Sequence, residues 1–324
     1  MNIGIVGLGH LGKIHLKLLS ESSSFNVSCI FDIDNSLTKQ LASHYNVNGS
    51  DSYDDFLKQC DAVCVVTPTP THFELVSTAI KRGKHVFIEK PATDDFNDTK
   101  KLINLAREAS VIVQVGHVER FNPAFTEARA YIHKPILFDV QRLATYNLRG
   151  TDVSVVMDLM IHDIDLVLSS IKSKIKRISA TGYTLVSKTT DIANARIEFE
   201  NGCVANLTAN RVALKNVREM NIYQENGYVS VDLLNKTTTV NIIELITKDN
   251  LKKGLLINTG EGNQHYQIVE TELDIKPINA IKSELDCFHE SITKKTPISV
   301  SLLDAEIAIF VAQEIENQIN KYNV

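Results

Sequence analysis

Residues 1 to 12 constrain this chain more than any other stretch. An apolar run (Ile3, Ile5, Val6) leads straight into Gly7-Leu8-Gly9-His10-Leu11-Gly12. A strand that ends in G-x-G-x-x-G and continues as a helix opens a βαβ unit, which commits the chain to a parallel sheet with crossover helices. Leu11, Ile14, Leu18 and Leu19 recur at helical spacing after the loop. A second apolar run, Val27 to Phe31, then ends in Asp32, twenty residues past Gly12. In a dinucleotide site each glycine has a task. Gly7 permits the tight turn, Gly9 lets a pyrophosphate reach backbone N–H groups at a helix N-terminus, and Gly12 lets helix and strand pack closely. His10 and Leu11 fill the variable positions of the same loop. Asp32 can accept hydrogen bonds from the adenosine ribose. NAD is expected over NADP, because a 2′-phosphate would meet the charges of Asp32 and Asp34. The alternative is a glycine-rich turn with no ligand, and the spacing to Asp32 argues for the ligand.

The strand and helix alternation continues. Ala62 to Val66 is apolar at every position, as a strand covered on both faces should be, and it ends at Thr67-Pro68 with His72 close behind. His85 to Ile88 leads to Glu89-Lys90-Pro91, and Val111 to Val115 leads to Gly116-His117. This is the pattern of a doubly wound α/β sheet, in which ligands lie outside the carboxyl ends of the strands. Gly7, Asp32, Thr67, Pro68, His72, Glu89, Lys90 and His117 all fall there and form the expected cofactor edge.

After Glu119 the text changes. Asn122-Pro123 opens a helix to about His133, a strand runs from Ile136 to about Tyr146, and Thr151 to Ile171 reads as a second helix. From Ile192 the pattern alternates with period two. Asn201-Gly202 and Asn226-Gly227 are placed to close two-residue hairpins. A large, mostly antiparallel sheet is expected, then two closing helices at about Ile278 to Ile292 and Leu302 to Ile319. Two domains follow, residues 1–119 and 120–324, with a mobile loop expected at Asp249 to Asn263. A net charge of -5 and the lack of a basic cluster or long apolar run argue against nucleic acid and membrane. With Met1 one residue from the first strand, no leader fits ahead of it, and a cytoplasmic protein is expected. Cys29, Cys60, Cys64, Cys203 and Cys287 form no C-x-x-C pair and are expected as free thiols.

Two constellations could carry chemistry. Asp158 and His162 are four apart on a helix, so one carboxylate can orient an imidazole that takes a hydroxyl proton; an exposed acidic helix is the plain alternative. Asp163 and Asp165 lie nearby, but consecutive and i+2 positions point apart on a helix, so no metal site is expected. Lys90 stands at a strand end before a proline. Its ammonium can reach a substrate oxygen beside a nicotinamide, or it is a surface lysine.

The glycine loop, Thr67-Pro68 with His72, Gly83 to Pro91 with its Glu-Lys-Pro, and Asp158 with His162 together resemble the Gfo/Idh/MocA oxidoreductases, in the right order over almost the whole chain. That resemblance implies an N-terminal Rossmann domain, a C-terminal α+β domain whose open sheet forms a homodimer or homotetramer, and a nicotinamide dinucleotide. It places the catalytic lysine at Lys90, the carboxylate and imidazole at Asp158 and His162, and a cis bond at Lys90-Pro91. Val115 to Pro123 and Arg149 to Asp158 look like the branch that oxidises the 3-hydroxyl of UDP-N-acetylglucosamine. Arg120, Asn122 and Arg149 become candidate substrate residues, the arginines for a diphosphate. Salt bridges to Glu119 or Asp152 are the alternative for those arginines. A free polyol such as inositol, or a non-catalytic dinucleotide-sensing role, are the competing functions.

Overall fold

A computed structural model describes residues 1–148, 150–247, 252, 254–258 and 265–322. The chain forms two compact units, Met1–Val118 with Asn279–Phe310, and Glu119–Ile278 with Val311–Val324.

The first unit begins β1 (Asn2–Val6), α1 (His10–Ser20), β2 (Asn26–Phe31), α2 (Asn35–Tyr45), β3 (Asn48–Gly49), α3 (Tyr53–Leu57) and β4 (Ala62–Val65). It continues α4 (His72–Lys81), β5 (His85–Glu89), α5 (Phe96–Ala109) and β6 (Val113–Gly116). The six strands are parallel in the order β3-β2-β1-β4-β5-β6, so the chain winds outward from β1 in both directions and the order reverses between β1 and β4. Both faces of the sheet are covered, and all four residues of β4 are buried, as their unbroken apolar run requires. Asp34, Ser52 and Asp95 cap α2, α3 and α5 by accepting from backbone N–H groups of the first turn.

The second unit contains α6 (Pro123–Ala128), capped by Asn122, and β7 (Leu137–Leu143). A π-helical turn, Val156–Met160, then runs into α7 (Ile161–Ser170). Eight further strands follow: β8 (Ile175–Tyr183), β9 (Ile192–Phe199), β10 (Val204–Asn210), β11 (Val217–Gln224), β12 (Gly227–Asp232), β13 (Thr237–Leu245), β14 (Leu255–Asn258) and β15 (His265–Glu272). The nine-stranded sheet has the order β14-β15-β13-β12-β11-β7-β10-β9-β8 and is antiparallel except where β7 meets β10. Buried positions alternate along β7, β9, β10 and β12, as Ala193, Ala195, Ile197 and Phe199 do on β9.

Both hairpins close differently from expectation. Phe199 and Cys203 bond across a three-residue loop whose last member, Gly202, has φ +87°, the left-handed residue of a bulged turn. Gln224 pairs with Gly227, so the second loop is Glu225-Asn226 and its glycine already belongs to the strand. The helix expected from Thr151 starts only at Val156. The loop expected over Asp249 to Asn263 contains β14, and most of its other residues lie outside those described.

Two helices close the chain, α8 (Ala280–Thr293) and α9 (Leu302–Tyr322). The boundary expected at residue 119 left Asn279 onward in the second domain, whereas α8 belongs to the first unit. Its Leu285 and Phe288 complete the core formed by Ile3, Ile5, Leu16, Leu19 and Phe87. A helix distant in sequence returns because Phe87 of β5, with the apolar side chains of β1 and α1 beside it, needs a cover. All five cysteines are free thiols, four of them buried. Among the described residues no helix is long and apolar enough to cross a membrane.

Candidate active site

The glycine loop has the geometry of a phosphate cradle. Gly7 lies at φ +90°, and a Cβ there would sit 2.6 Å from the Val66 carbonyl oxygen. A Cβ on Gly12 would stand 2.0 Å from the oxygen of Gly7, so no other residue fits. At Gly9, by contrast, a Cβ would meet nothing within 4 Å. Gly9 is also the N-cap of α1 and offers no capping side chain, which leaves the first-turn N–H groups for a ligand approaching through that opening. His10 is exposed and Leu11 half-buried on the same turn.

Asp32 does more than the sequence reading assigned to it. Leu8 N donates to its Oδ2 at 2.6 Å and Asp34 N donates to its Oδ1 at 2.9 Å, so the acid ties the glycine loop to the end of β2. Each oxygen retains a lone pair for a ribose hydroxyl. These observations fit a nicotinamide dinucleotide: Gly7, Gly9 and Gly12 would admit its pyrophosphate and Asp32 its ribose.

Behind this edge the structure places several expected cofactor residues in the interior. His72 is 1% exposed, with Nδ1 3.0 Å from the Pro91 oxygen and Nε2 2.8 Å from the Thr67 oxygen. Burial pushes this imidazole below its ordinary value, against the two carbonyls, which favour its protonated form. It joins the Thr67 turn to the Pro91 turn and presents no open surface. Thr67 Oγ1 accepts from Thr71 Oγ1 at 2.7 Å, and Pro68 is exposed beside it. Glu89 is also buried: its Oε1 lies 2.8 Å from His15 Nε2 and its Oε2 accepts from Lys90 N at 3.2 Å. His117 is 1% exposed just beyond β6. Lys90 itself is half-buried, and the Lys90-Pro91 bond is cis as expected.

In the second unit, Asp158 sits in the π-helical turn and His162 on the first turn of α7. Both are half-buried while Met157, Met160, Ile161 and Asp163 are buried, so the two share the accessible stripe of this segment. A π turn inside a helix often marks a functional site. A Cβ on Gly150 (φ +81°) would stand 3.2 Å from Asp158 Oδ2, so the loop backbone comes close to this carboxylate. That loop is held by Arg211, whose Nη1 donates to the Gly150 oxygen at 2.9 Å and Nη2 to the Val153 oxygen at 2.6 Å.

The other acids point elsewhere. Asp163 receives the fork of buried Arg142, with Nη2 2.7 Å from Oδ1 and Nε 2.9 Å from Oδ2, and Arg142 Nη1 donates to Glu119 Oε1 at 3.0 Å. Asp165 receives both Nε and Nη2 of Arg120 at 2.7 Å. The fork expected for a diphosphate at Arg120 is thus turned inward, and its partner is Asp165, not Glu119 or Asp152. Asn122 is likewise committed: its Oδ1 accepts from Ala124 N, and its Nδ2 donates to Glu119 Oε2 and to the Leu233 oxygen. Arg149 lies outside the described residues. Sequence reasoning missed His15, Arg142 and Arg211. Only His15 carried a signal, a polar residue in the buried stripe of Gly12, Leu16 and Leu19 on α1.

A Rossmann sheet with a phosphate cradle, in one chain with a second unit whose π turn and α7 carry an acid and an imidazole, defines a nicotinamide-dependent oxidoreductase. The chain belongs to the Gfo/Idh/MocA family: the model for the oxidoreductase family with an NAD-binding Rossmann fold matches residues 1–117, and that for the GFO/IDH/MocA C-terminal domain matches residues 125–230. UDP-N-acetylglucosamine 3-dehydrogenase of Acidithiobacillus ferrooxidans is 37% identical over 238 residues, 73% of this chain and 75% of that protein. A solved structure of that enzyme matches with a TM-score of 0.88 at 29% identity, covering 99% of this chain and 98% of the other. The scyllo-inositol 2-dehydrogenase (NAD(+)) of Bacillus subtilis is 28% identical over 228 residues, 64% of this chain and 67% of that protein.

Proposed function

We propose that this protein is an NAD-dependent dehydrogenase that oxidises the 3-hydroxyl of a UDP-linked N-acetylhexosamine to a ketone. The likeness that extends over 99% of the chain to a UDP-N-acetylglucosamine 3-dehydrogenase carries this reading. Gly7, Gly9, Gly12 and Asp32 hold the dinucleotide, which when bound takes up a hydride from the sugar carbon. On the protein side, His162, oriented by Asp158, takes the hydroxyl proton, and the Lys90 ammonium polarises the oxygen that becomes the carbonyl. The two can exchange these roles, since both are proton carriers. Asp32 favours NAD, because its charge repels a 2′-phosphate. Tyr183, Ile242, Leu255 and Leu256, all exposed apolar residues of the nine-stranded sheet, support a homo-oligomer formed through that sheet. Light scattering tests it.

A ketone of an unactivated sugar is unfavourable with NAD at neutral pH, so net product forms only when it is consumed. The assay is UDP-N-acetylglucosamine with NAD and hydroxylamine as trap, following NADH and the trapped ketone. The inositol dehydrogenases among the relatives supply a second reading, oxidation of a free polyol. If the trap yields nothing while myo-inositol reduces NAD readily, that second reading replaces the first. Turnover of neither, with NAD still bound, would favour a dinucleotide sensor.

A further inference from the structure

Beneath Lys90 lies a cluster that no motif announces. Glu284 on α8 is fully buried, and among the described residues neither of its carboxyl oxygens has a hydrogen-bond partner. One of them lies within 4.8 Å of a ring nitrogen of His15 and of a carboxyl oxygen of Glu89. Gln114, also fully buried, donates from Nε2 to the Glu284 backbone oxygen at 2.7 Å, which leaves its own Oε1 beside the same pocket without a donor. Three buried acceptor atoms on two hydrogen-bonded residues therefore have no N–H or O–H directed at them among the described residues. Buried polar atoms in native proteins are satisfied almost without exception, commonly by an ordered water with two to four polar neighbours.

We propose that Glu284 is a positioning residue, joined through one buried water to Glu89 and Gln114, and that this unit holds the peptide of Lys90. It rests on the reading of Lys90 as a catalytic residue. The Glu284 carboxyl proton goes to the water oxygen, and the two water hydrogens go to a Glu89 carboxyl oxygen and to Gln114 Oε1; the carbonyl oxygen of the neutral Glu284 carboxyl is the one acceptor that receives no hydrogen. Glu89 meanwhile has Oε1 on His15 and Oε2 on the Lys90 N–H. Burial and the neighbouring Glu89 hold the Glu284 carboxyl well above the usual range, in keeping with a carboxyl that retains its proton. The titratable groups facing it are His15 from α1, Cys64 from β4, Glu89 from β5 and Cys287 on its own helix. Were Glu284 ionised, two carboxylates in a buried pocket would repel and draw Glu89 away from Lys90.

Infrared difference spectroscopy of wild type against Glu284→Gln tests the proton directly. The carbonyl band of a neutral carboxyl is expected in the wild type at neutral pH and absent from the variant. A high-resolution crystal structure is expected to show water, and metal analysis no stoichiometric ion. In the trap assay Glu284→Leu lowers kcat by about tenfold or more with the KM for NAD unchanged, and Glu284→Gln restores most of the loss, because a misplaced lysine loses rate before affinity. A neutral-carboxyl band that persists in Glu284→Gln, a bound metal ion, or wild-type kcat in Glu284→Leu while Lys90→Met is inactive would each overturn the proposal. If Lys90→Met keeps its turnover, the catalytic reading of Lys90 fails, and the infrared band alone decides on the buried site.

Discussion

Replacing Arg142 by Met should destabilise the second unit severely. Arg142 is 2% exposed and shares its guanidinium between Asp163 and Glu119, which are 2% and 6% exposed. Met fills much of the volume but leaves two carboxylates with Arg218, half outside the protein and 3.3 Å from Glu119, as the remaining cation. Removing one partner of a buried ionic group costs about 3–5 kcal/mol, because the charges left behind have lost both water and counter-ion. At roughly 2–4 °C per kcal/mol for a unit of this size, the unfolding midpoint should fall by roughly 10 °C. The pH dependence gives a sharper check. In the wild type, Glu119 is held below the ordinary carboxylate value against its burial, by Arg142 first and Asn122 next. Its contribution is present above the unfolded value near ~4 and is lost as pH falls through the lower folded value. Burial already pushes Asp163 up against the pull of Arg142. Without that pull it rises further, and a carboxyl raised in the folded state loses stability as pH increases through its folded value. The deficit of Arg142→Met should therefore be largest at neutral pH and shrink towards pH ~4. Calorimetry across that window measures it. A midpoint loss under about a degree at neutral pH, or a deficit that grows on acidification, would refute the reasoning.

Lys90→Met, Asp158→Ala and His162→Ala should each lower turnover by at least ~100-fold while leaving NAD affinity near wild type, measured by steady-state kinetics beside calorimetric binding. Near-normal turnover of the His162 variant would move the base elsewhere. Asp32→Ala should narrow the preference for NAD and also weaken binding of both dinucleotides, since Leu8 N loses its acceptor; an unchanged NAD to NADP ratio would show that Asp32 does not meet the ribose. Gly12→Ala should abolish dinucleotide binding, because its Cβ must displace the Gly7 oxygen 2.0 Å away. Binding of NAD within a few-fold of wild type would sink that expectation.

The first unit was legible in the residues because its signals are local. A strand followed by three spaced glycines, a carboxylate one βαβ unit later, and apolar runs too short for helices each report a backbone requirement within a few residues. The parallel order and the cofactor edge follow from them. Asp158 and His162 were legible for the same reason, though not the π turn beneath them, since one extra residue per turn leaves i and i+4 on one side. Tertiary structure alone decided the rest. Helix α8 joined the first unit because Phe87 of β5 and the apolar side chains of β1 and α1 lacked cover, a need that no residue of α8 states. Arg120 was claimed by Asp165 and Arg142 by Asp163 and Glu119, since a buried guanidinium takes whichever carboxylate the fold brings within reach, 45, 21 and 23 residues away respectively. Glu284, 195 residues after Glu89, became a buried carboxyl only when the chain closed over it. Sequence spacing predicts contacts along one helix or strand; burial and charge pairing between elements arise only from the packing that brings distant residues together.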